Sequence, residues 1–155
     1  MGRSVGCIPA IHLASQRNVA FLSLVSPFMS VKVTPSHIQQ IMKDHYGFMG
    51  SIGSLLVKKG YSNKDKLSLI KCPTLLLHGK KDALISWQQS ANIYDALETK
   101  AELILHDEMT HNDIDTLKHI VLPIMAFIEK AEIRADNDTM ELSVPLKFFD
   151  YDSAS

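Results

Sequence analysis

A chain of 155 residues with 46% hydrophobic and 21% charged residues has the size and composition of one globular domain able to bury a core, which excludes an intrinsically disordered chain. Sixteen basic against 17 acidic residues give a net charge of −1, and with no dense basic block this argues against a nucleic-acid partner. Two cysteines, Cys7 and Cys72, are too few for a disulfide framework and suit a reducing compartment; with no secretory leader and no apolar run of roughly 18 residues, the expectation is a cytoplasmic chain with no transmembrane segment.

The first residues, Gly2-Arg3-Ser4-Val5-Gly6, fit the pattern G-x-S-x-G. In that pattern a serine sits on a strained strand-to-helix turn, and glycines flank it where the turn leaves no room for a Cβ. The same five residues also read as a flexible terminus. Ile8 to Ser15 reads as a short helix with Pro9 in its first turn, where a missing N–H is tolerated. Val19 to Pro27 is a short apolar run ended by proline, which suits a strand buried on both faces of a parallel sheet. Pro35-Ser36 precedes a helical pattern through Ile38, Ile41, Met42, Met49, Ile52, Leu55 and Leu56. Gly47, Gly50 and Gly53 break it into pieces and Gly60 ends it. Lys58 to Lys66 is a polar connector.

Pro73 to His78 is a second buried strand with proline at its start, where proline is allowed. Ser86-x-x-Gln89 reads as a capping box opening a helix to about Thr99. Ala101 to His106 is a third strand, and a helix follows from about Asp115 to Glu132 with a kink or restart at Pro123. Residues 1–133 form the folded unit; 134–155 read as an acidic, loosely ordered tail whose SVPLKFF segment packs back as an extended arm. The alternation predicts an α/β fold, a parallel sheet of about three strands with helices on both faces.

In open α/β sheets, sites form at the carboxyl ends of strands. Ser4 stands where a strand would have ended, Asp82 follows the strand ending at His78, and His111 follows the strand ending at His106. A serine hydroxyl needs a base, a neutral histidine accepts its proton near pH 7, and a carboxylate on the far ring nitrogen fixes the tautomer. The residues leave rival readings open. Asp82 also suits a turn cap. Asp107, Asp113 and Asp115 are carboxylates crowded near His111 in sequence, and His111 itself also reads as a solvated loop histidine. Cys7 lies three residues past Ser4, has no charged partner nearby in sequence, and reads as buried and inert. His78 reads as structural or as a support behind the site, and His12, His37, His45, His106 and His119 as helix-surface or core-edge residues. Their spacings match no zinc motif, so no metal is expected, and nothing calls for a cofactor. The Met- and Gly-rich stretch Ile38–Leu56 suits core packing or an acyl pocket.

GRSVGCIPAIHLAS, LSLVSPF, CPTLLLHGKKDALIS and THNDID together resemble the C-terminal half of an α/β-hydrolase, nearest to the α/β-hydrolase-domain group that includes membrane-associated protein depalmitoylases. The resemblance runs from Gly2 to Lys130. It implies Ser4 as nucleophile, Asp82 as acid, His111 as base and the Val5 backbone N–H as an oxyanion donor. It implies a serine hydrolase that cleaves an ester or thioester of an acylated small molecule or acyl-protein, a long-chain acyl-protein thioesterase within that class, in the cytoplasm or at the membrane periphery. Against that family's pattern the strands before the elbow are missing, and with them the loop supplying a second oxyanion donor. This keeps a rival reading open: a catalytically inactive fragment, acting as a binding half or arising as a truncated gene product. It also makes strand Val19–Val25 the expected exposed edge, with self-association through it.

Overall fold

The computed structural model describes residues 1–30 and 62–133. The expected helical stretch Ile38–Leu56 with its glycine breaks, the first four residues (58–61) of the polar connector, and the tail from Arg134 lie outside the described residues.

Strands β1 (Gly2–Arg3), β2 (Leu22–Val25), β3 (Thr74–Gly79) and β4 (Ala101–His106) form one parallel sheet in the order β1-β2-β3-β4. Between β1 and β2 the chain makes a 3-10 turn (Ser4–Gly6) and helix α1 (Cys7–Gln16). Helix α2 (Lys64–Leu67) precedes β3, and α3 (Gln88–Ala96) links β3 to β4. A π-helical turn (Leu117–Val121) runs directly into α4 (Leu122–Lys130).

The central strand explains why the sheet needs helices on both faces. Its residues Leu75, Leu76 and Leu77 alternate sides, and all three are fully buried. Leu76 packs with Cys7, Ile11 and Ala14 of α1, Leu67 of α2 and Ile93 of α3. Leu75 and Leu77 pack on the other face with Val25, Ile120 and Phe127. Each such leucine contributes roughly 1.5–3 kcal/mol relative to exposure. β4 lies at one edge of the sheet and is half-buried throughout.

Several expectations need correction. The run Val19–Pro27 supplies only four strand residues, because the chain leaves the sheet before Pro27. It then turns to meet Asn63, whose backbone N–H donates to the Met29 carbonyl at 2.8 Å and whose Nδ2 donates to the Phe28 carbonyl at 2.8 Å. β2 is not the sheet edge. Gly2 and Arg3 form a two-residue strand in register with Leu24 and Val25, so β1 is the edge and the sheet has four strands among the described residues, not three. All four β2 residues are buried. On α1, Leu13 is 58% exposed.

The capping box does not form. Helix α3 has no side-chain cap; Ser86 Oγ bonds Gln88 Oε1, and Gln89 Oε1 is turned away to accept the Met29 N–H at 3.0 Å. A glutamine that bridges to a distant loop has left its own helix end. That helix also stops at Ala96 rather than Thr99.

The Pro123 irregularity is real and has a chemical consequence. Proline lacks the N–H that would bond the carbonyl four residues earlier, that of His119. The ladder widens into a π turn just before it, and His106 Nε2 donates to the freed His119 carbonyl at 3.2 Å. The two rings lie 4.7 Å apart. His119 is thus buried against the end of β4 rather than on the helix surface. Burial, with His119 close by, pushes the His106 ring below the ordinary histidine range.

Candidate active site

Three side chains from three different strand ends meet at the carboxyl edge of the sheet. Ser4 follows β1 directly and has φ 50°, a left-handed conformation that strains a residue with a side chain. The strain is set by its neighbours: Arg3 before it is held extended in the sheet (φ −130°), and Gly6 and Cys7 after it are already helical. A Cβ on Gly2 would lie 2.6 Å from the Gly6 carbonyl oxygen and 2.8 Å from the Ala10 Cβ, so this glycine is required by close packing on α1. Gly6 is different. A Cβ there would meet nothing within 4 Å, and its φ is −63°, so the steric reason offered for both glycines holds only for Gly2.

Asp82 sits in the turn after β3, where its N–H donates to the Gly79 carbonyl at 3.2 Å. Its side chain is fully buried. Oδ1 accepts from the backbone N–H groups of Leu84 at 2.9 Å and Ile85 at 2.8 Å, and Oδ2 accepts from His111 Nδ1 at 2.7 Å. Burial pushes this carboxyl up, but the bonds from His111, His78 and the Ile85 amide outweigh it and hold it well below the usual carboxylate range. Asp82 is thus both a turn residue and the histidine's partner, through different oxygens.

His111 comes from the loop after β4. Because a carboxylate only accepts, the proton on this ring lies on Nδ1, and Nε2 is left as an acceptor. Nε2 faces Ser4 Oγ at 3.1 Å. The order is therefore Ser4 hydroxyl, His111 imidazole, Asp82 carboxylate, with each donor aimed at an acceptor. His111 is 7% exposed and so is not a solvated loop residue.

The rival groups are occupied elsewhere. Asp107 pairs with Lys80 at 2.7 Å on the surface, and Asp115 Oδ1 accepts from the Lys118 N–H at 3.0 Å. Cys7 is fully buried against the Val25 carbonyl, and that burial pushes its thiol up to about 12, an unreactive state. Val5 follows Ser4 in the 3-10 turn and is 42% exposed. Among the described residues no group of three or more histidine, cysteine or acidic side chains is placed to hold a metal ion.

Two further residues support this arrangement: the sequence offered His78 as structural or as a support behind the site, and it did not offer Arg3. His78 Nε2 donates to the Ile85 carbonyl at 2.9 Å and lies 3.3 Å from Asp82 Oδ2. Its Nδ1 meets Ser90 Oγ at 2.6 Å, which pins the ring behind Asp82. Arg3 Nη2 donates to the His111 carbonyl at 2.6 Å, tying the elbow to the histidine loop. His78 was legible as the end of a buried strand, but nothing in sequence could pair Arg3 with a residue 108 positions away.

A parallel sheet flanked by helices, with a strained serine at a strand-to-helix turn and Ser, Asp and His following successive strands, decides the architecture. The chain carries an α/β-hydrolase fold. It is similar to an esterase from Exiguobacterium antarcticum, with a TM-score of 0.59 at 17% identity over 83% of this chain and 65% of that one. It is similar also to α/β-hydrolase domain-containing protein 10 from mouse, with a TM-score of 0.54 at 17% identity over 86% of this chain and 61% of that one. In sequence it is 27% identical over 128 residues to the α/β-hydrolase domain-containing protein aho-3 of Caenorhabditis elegans, covering 83% of this chain and 35% of that protein. Against the human α/β-hydrolase domain-containing protein 17C it is 26% identical, covering 82% of this chain and 35% of that protein. The chain spans about a third of the length of these curated relatives. No family model matches it.

Proposed function

We propose that this α/β-hydrolase chain is a serine hydrolase, with Ser4 as nucleophile, His111 as base and Asp82 as the carboxylate that orients the histidine. The observation that carries this is the continuous relay from Ser4 Oγ to His111 Nε2 at 3.1 Å and from His111 Nδ1 to Asp82 Oδ2 at 2.7 Å. Ser4 Oγ attacks the acyl carbonyl carbon as its proton passes to His111 Nε2. The Val5 N–H stabilises the oxyanion. The intermediate collapses to an acyl-serine as the leaving thiol or alcohol takes the proton from Nε2. Water then repeats the sequence, releasing the acid. The buried Asp82 carboxylate steadies the imidazolium in each half without itself taking a proton.

The substrate we propose is a carboxylic ester or thioester, and within that class a long-chain acyl-protein thioester. The α/β-hydrolase domain proteins among its relatives and the esterases among its structural neighbours support the class. The acyl-pocket reading of Ile38–Leu56 lies outside the described residues, and the hollow bordered by Arg17, Val19, Lys71 and Pro73 lies at the opposite, amino end of the strands. Labelling with a fluorophosphonate tests the proposal. The wild-type chain is expected to label and Ser4→Ala to lose all labelling. Labelling that survives in Ser4→Ala removes Ser4 from the role, and a wild-type chain that never labels favours the non-catalytic binding half.

Two lesser proposals concern the chain's setting. Among the described residues no helix is long and apolar enough to cross a membrane, and Cys7 and Cys72 are both free. A cytoplasmic or membrane-peripheral location fits both facts, and cell fractionation checks it. We also propose self-association along the β1 edge, which pairs with only the last two residues of β2. Size-exclusion chromatography over a range of concentrations is expected to show species above 17.3 kDa, and a monomer at every concentration refutes it.

A further inference from the structure

We infer that Arg3 is a positioning residue that holds the His111 main chain in place for proton transfer, an inference that rests on the serine-hydrolase reading of the site.

Within the loop carrying His111, the Thr110 N–H donates to the Asp113 carbonyl at 3.3 Å and the Asp113 N–H to Thr110 Oγ1 at 2.9 Å, bonds that tie the loop to itself rather than to the sheet. Lys80–Asp107 and Lys81–Glu108 tie the start of the loop to the Asp82 turn, but all four side chains are exposed, and such pairs hold geometry weakly. The His111 ring is held at both nitrogens, by Asp82 and by Ser4. Its backbone is held by Arg3, whose guanidinium donates to the His111 carbonyl at 2.6 Å. A charged donor on a neutral acceptor makes a shorter and stronger bond than a neutral pair.

The position of the donor matters as much as its strength. Arg3 is locked into the sheet by its register with Val25, and Ser4 comes next in the chain. The residue that fixes the approach to the nucleophile therefore also grips the backbone of the base. With Nε2 and Oγ already 3.1 Å apart, a slip of the loop by about 1 Å would break the contact, and a displacement of that size costs up to about 100-fold in rate.

The test compares wild type, Arg3→Met and Arg3→Lys in the 155-residue chain. The first readout is the acylation rate by a fluorophosphonate, followed against probe concentration and against pH. The second is the downfield proton NMR signal of His111 Nδ1–H, which needs no activity. Arg3→Met removes the donors but keeps a straight stem. It is expected to slow acylation about 10–100-fold at saturating probe with little change in the half-saturating concentration, and to broaden the Nδ1 proton through faster exchange. Arg3→Lys keeps one charged donor without the planar fork and is expected to recover part of both. A purely structural arginine would lower the melting temperature and leave the rate per folded molecule and the proton signal unchanged, which overturns the inference. If the wild type does not react with the probe, the serine-hydrolase reading fails while the proton signal still decides the role of Arg3: broadening in Arg3→Met supports the anchor, and an unchanged signal refutes it. Should Arg3→Met not fold, Arg3→Lys against wild type decides by the same two readouts.

Discussion

Asp82→Asn is expected to lower the acylation rate by about 10⁴-fold while the chain stays folded near neutral pH, the size of effect this replacement has in other Ser-His-Asp triads. The loss follows from which oxygen does what. Oδ1 accepts two backbone N–H groups, from Leu84 and Ile85, and an asparagine placed there keeps its carbonyl oxygen on those donors. Its NH₂ then faces His111 Nδ1, which must become the acceptor, so the ring proton moves to Nε2 and confronts Ser4 with a donor where a base is needed. The same substitution changes the acid limb of stability. The Asp82 carboxyl is held below its ordinary value of 3.8, so its contribution is fully present above that value and is lost as pH falls below it. Asparagine has no such loss, so the melting temperature of Asp82→Asn is expected to fall less steeply than that of wild type between about pH 5 and 2. Labelling at the wild-type rate would reduce Asp82 to a turn residue. Parallel pH–melting curves would show that its ionisation is not linked to folding.

What could be read from the sequence was whatever the chemistry forces locally. The uninterrupted run through Leu75, Leu76 and Leu77 admits only a strand buried on both faces, and the structure places it at the centre of the sheet. That Ser4, Asp82 and His111 lie together at one end of the sheet was legible because each follows a strand position, and parallel strands bring their carboxyl ends together. β1 was not legible, since two residues show no periodicity and Gly2-Arg3 has no strand propensity; the pairing with Leu24 and Val25 makes it a strand. The Ser86-x-x-Gln89 pattern failed because a side chain has several partners available and the Met29 N–H outcompeted the helix end. The pairing of His106 with the His119 carbonyl depends on a donor that Pro123 lacks, a consequence visible only once the π turn is laid against β4. Arg3 belongs to the same class: its partner is fixed by tertiary placement alone.

Gly79→Ala is expected to be the most damaging single-methyl addition in the described part of the chain. A Cβ at Gly79 would lie 1.9 Å from the Met109 carbonyl oxygen and 2.5 Å from its carbon, both main-chain atoms that cannot rotate aside. The strand cannot retreat either, because Gly79 is in register with His106 and the Lys80 N–H donates to the His106 carbonyl at 2.9 Å. Overpacking of this kind costs about 3 kcal/mol, near the upper end for core insertions, or about 10 °C in melting temperature for a domain of this size. The clash also has a direction. Gly79 leads into the Asp82 turn and Met109 leads into His111, so relieving it drives Asp82 and His111 apart. Fluorophosphonate labelling is therefore expected to fall further than the folded fraction does. Gly2→Ala should destabilise by a similar mechanism through the Gly6 carbonyl and Ala10, by about 1–3 kcal/mol. Gly6→Ala supplies the control: its added methyl meets nothing within 4 Å, its backbone is right-handed, and loss of unfolded-state freedom should leave it neutral or about 0.4–1 kcal/mol more stable. Thermal melts of the three variants, with labelling normalised to folded protein, separate them. A Gly79→Ala chain that melts and labels like wild type would mean that the Asp82 and His111 loops do not meet through this glycine.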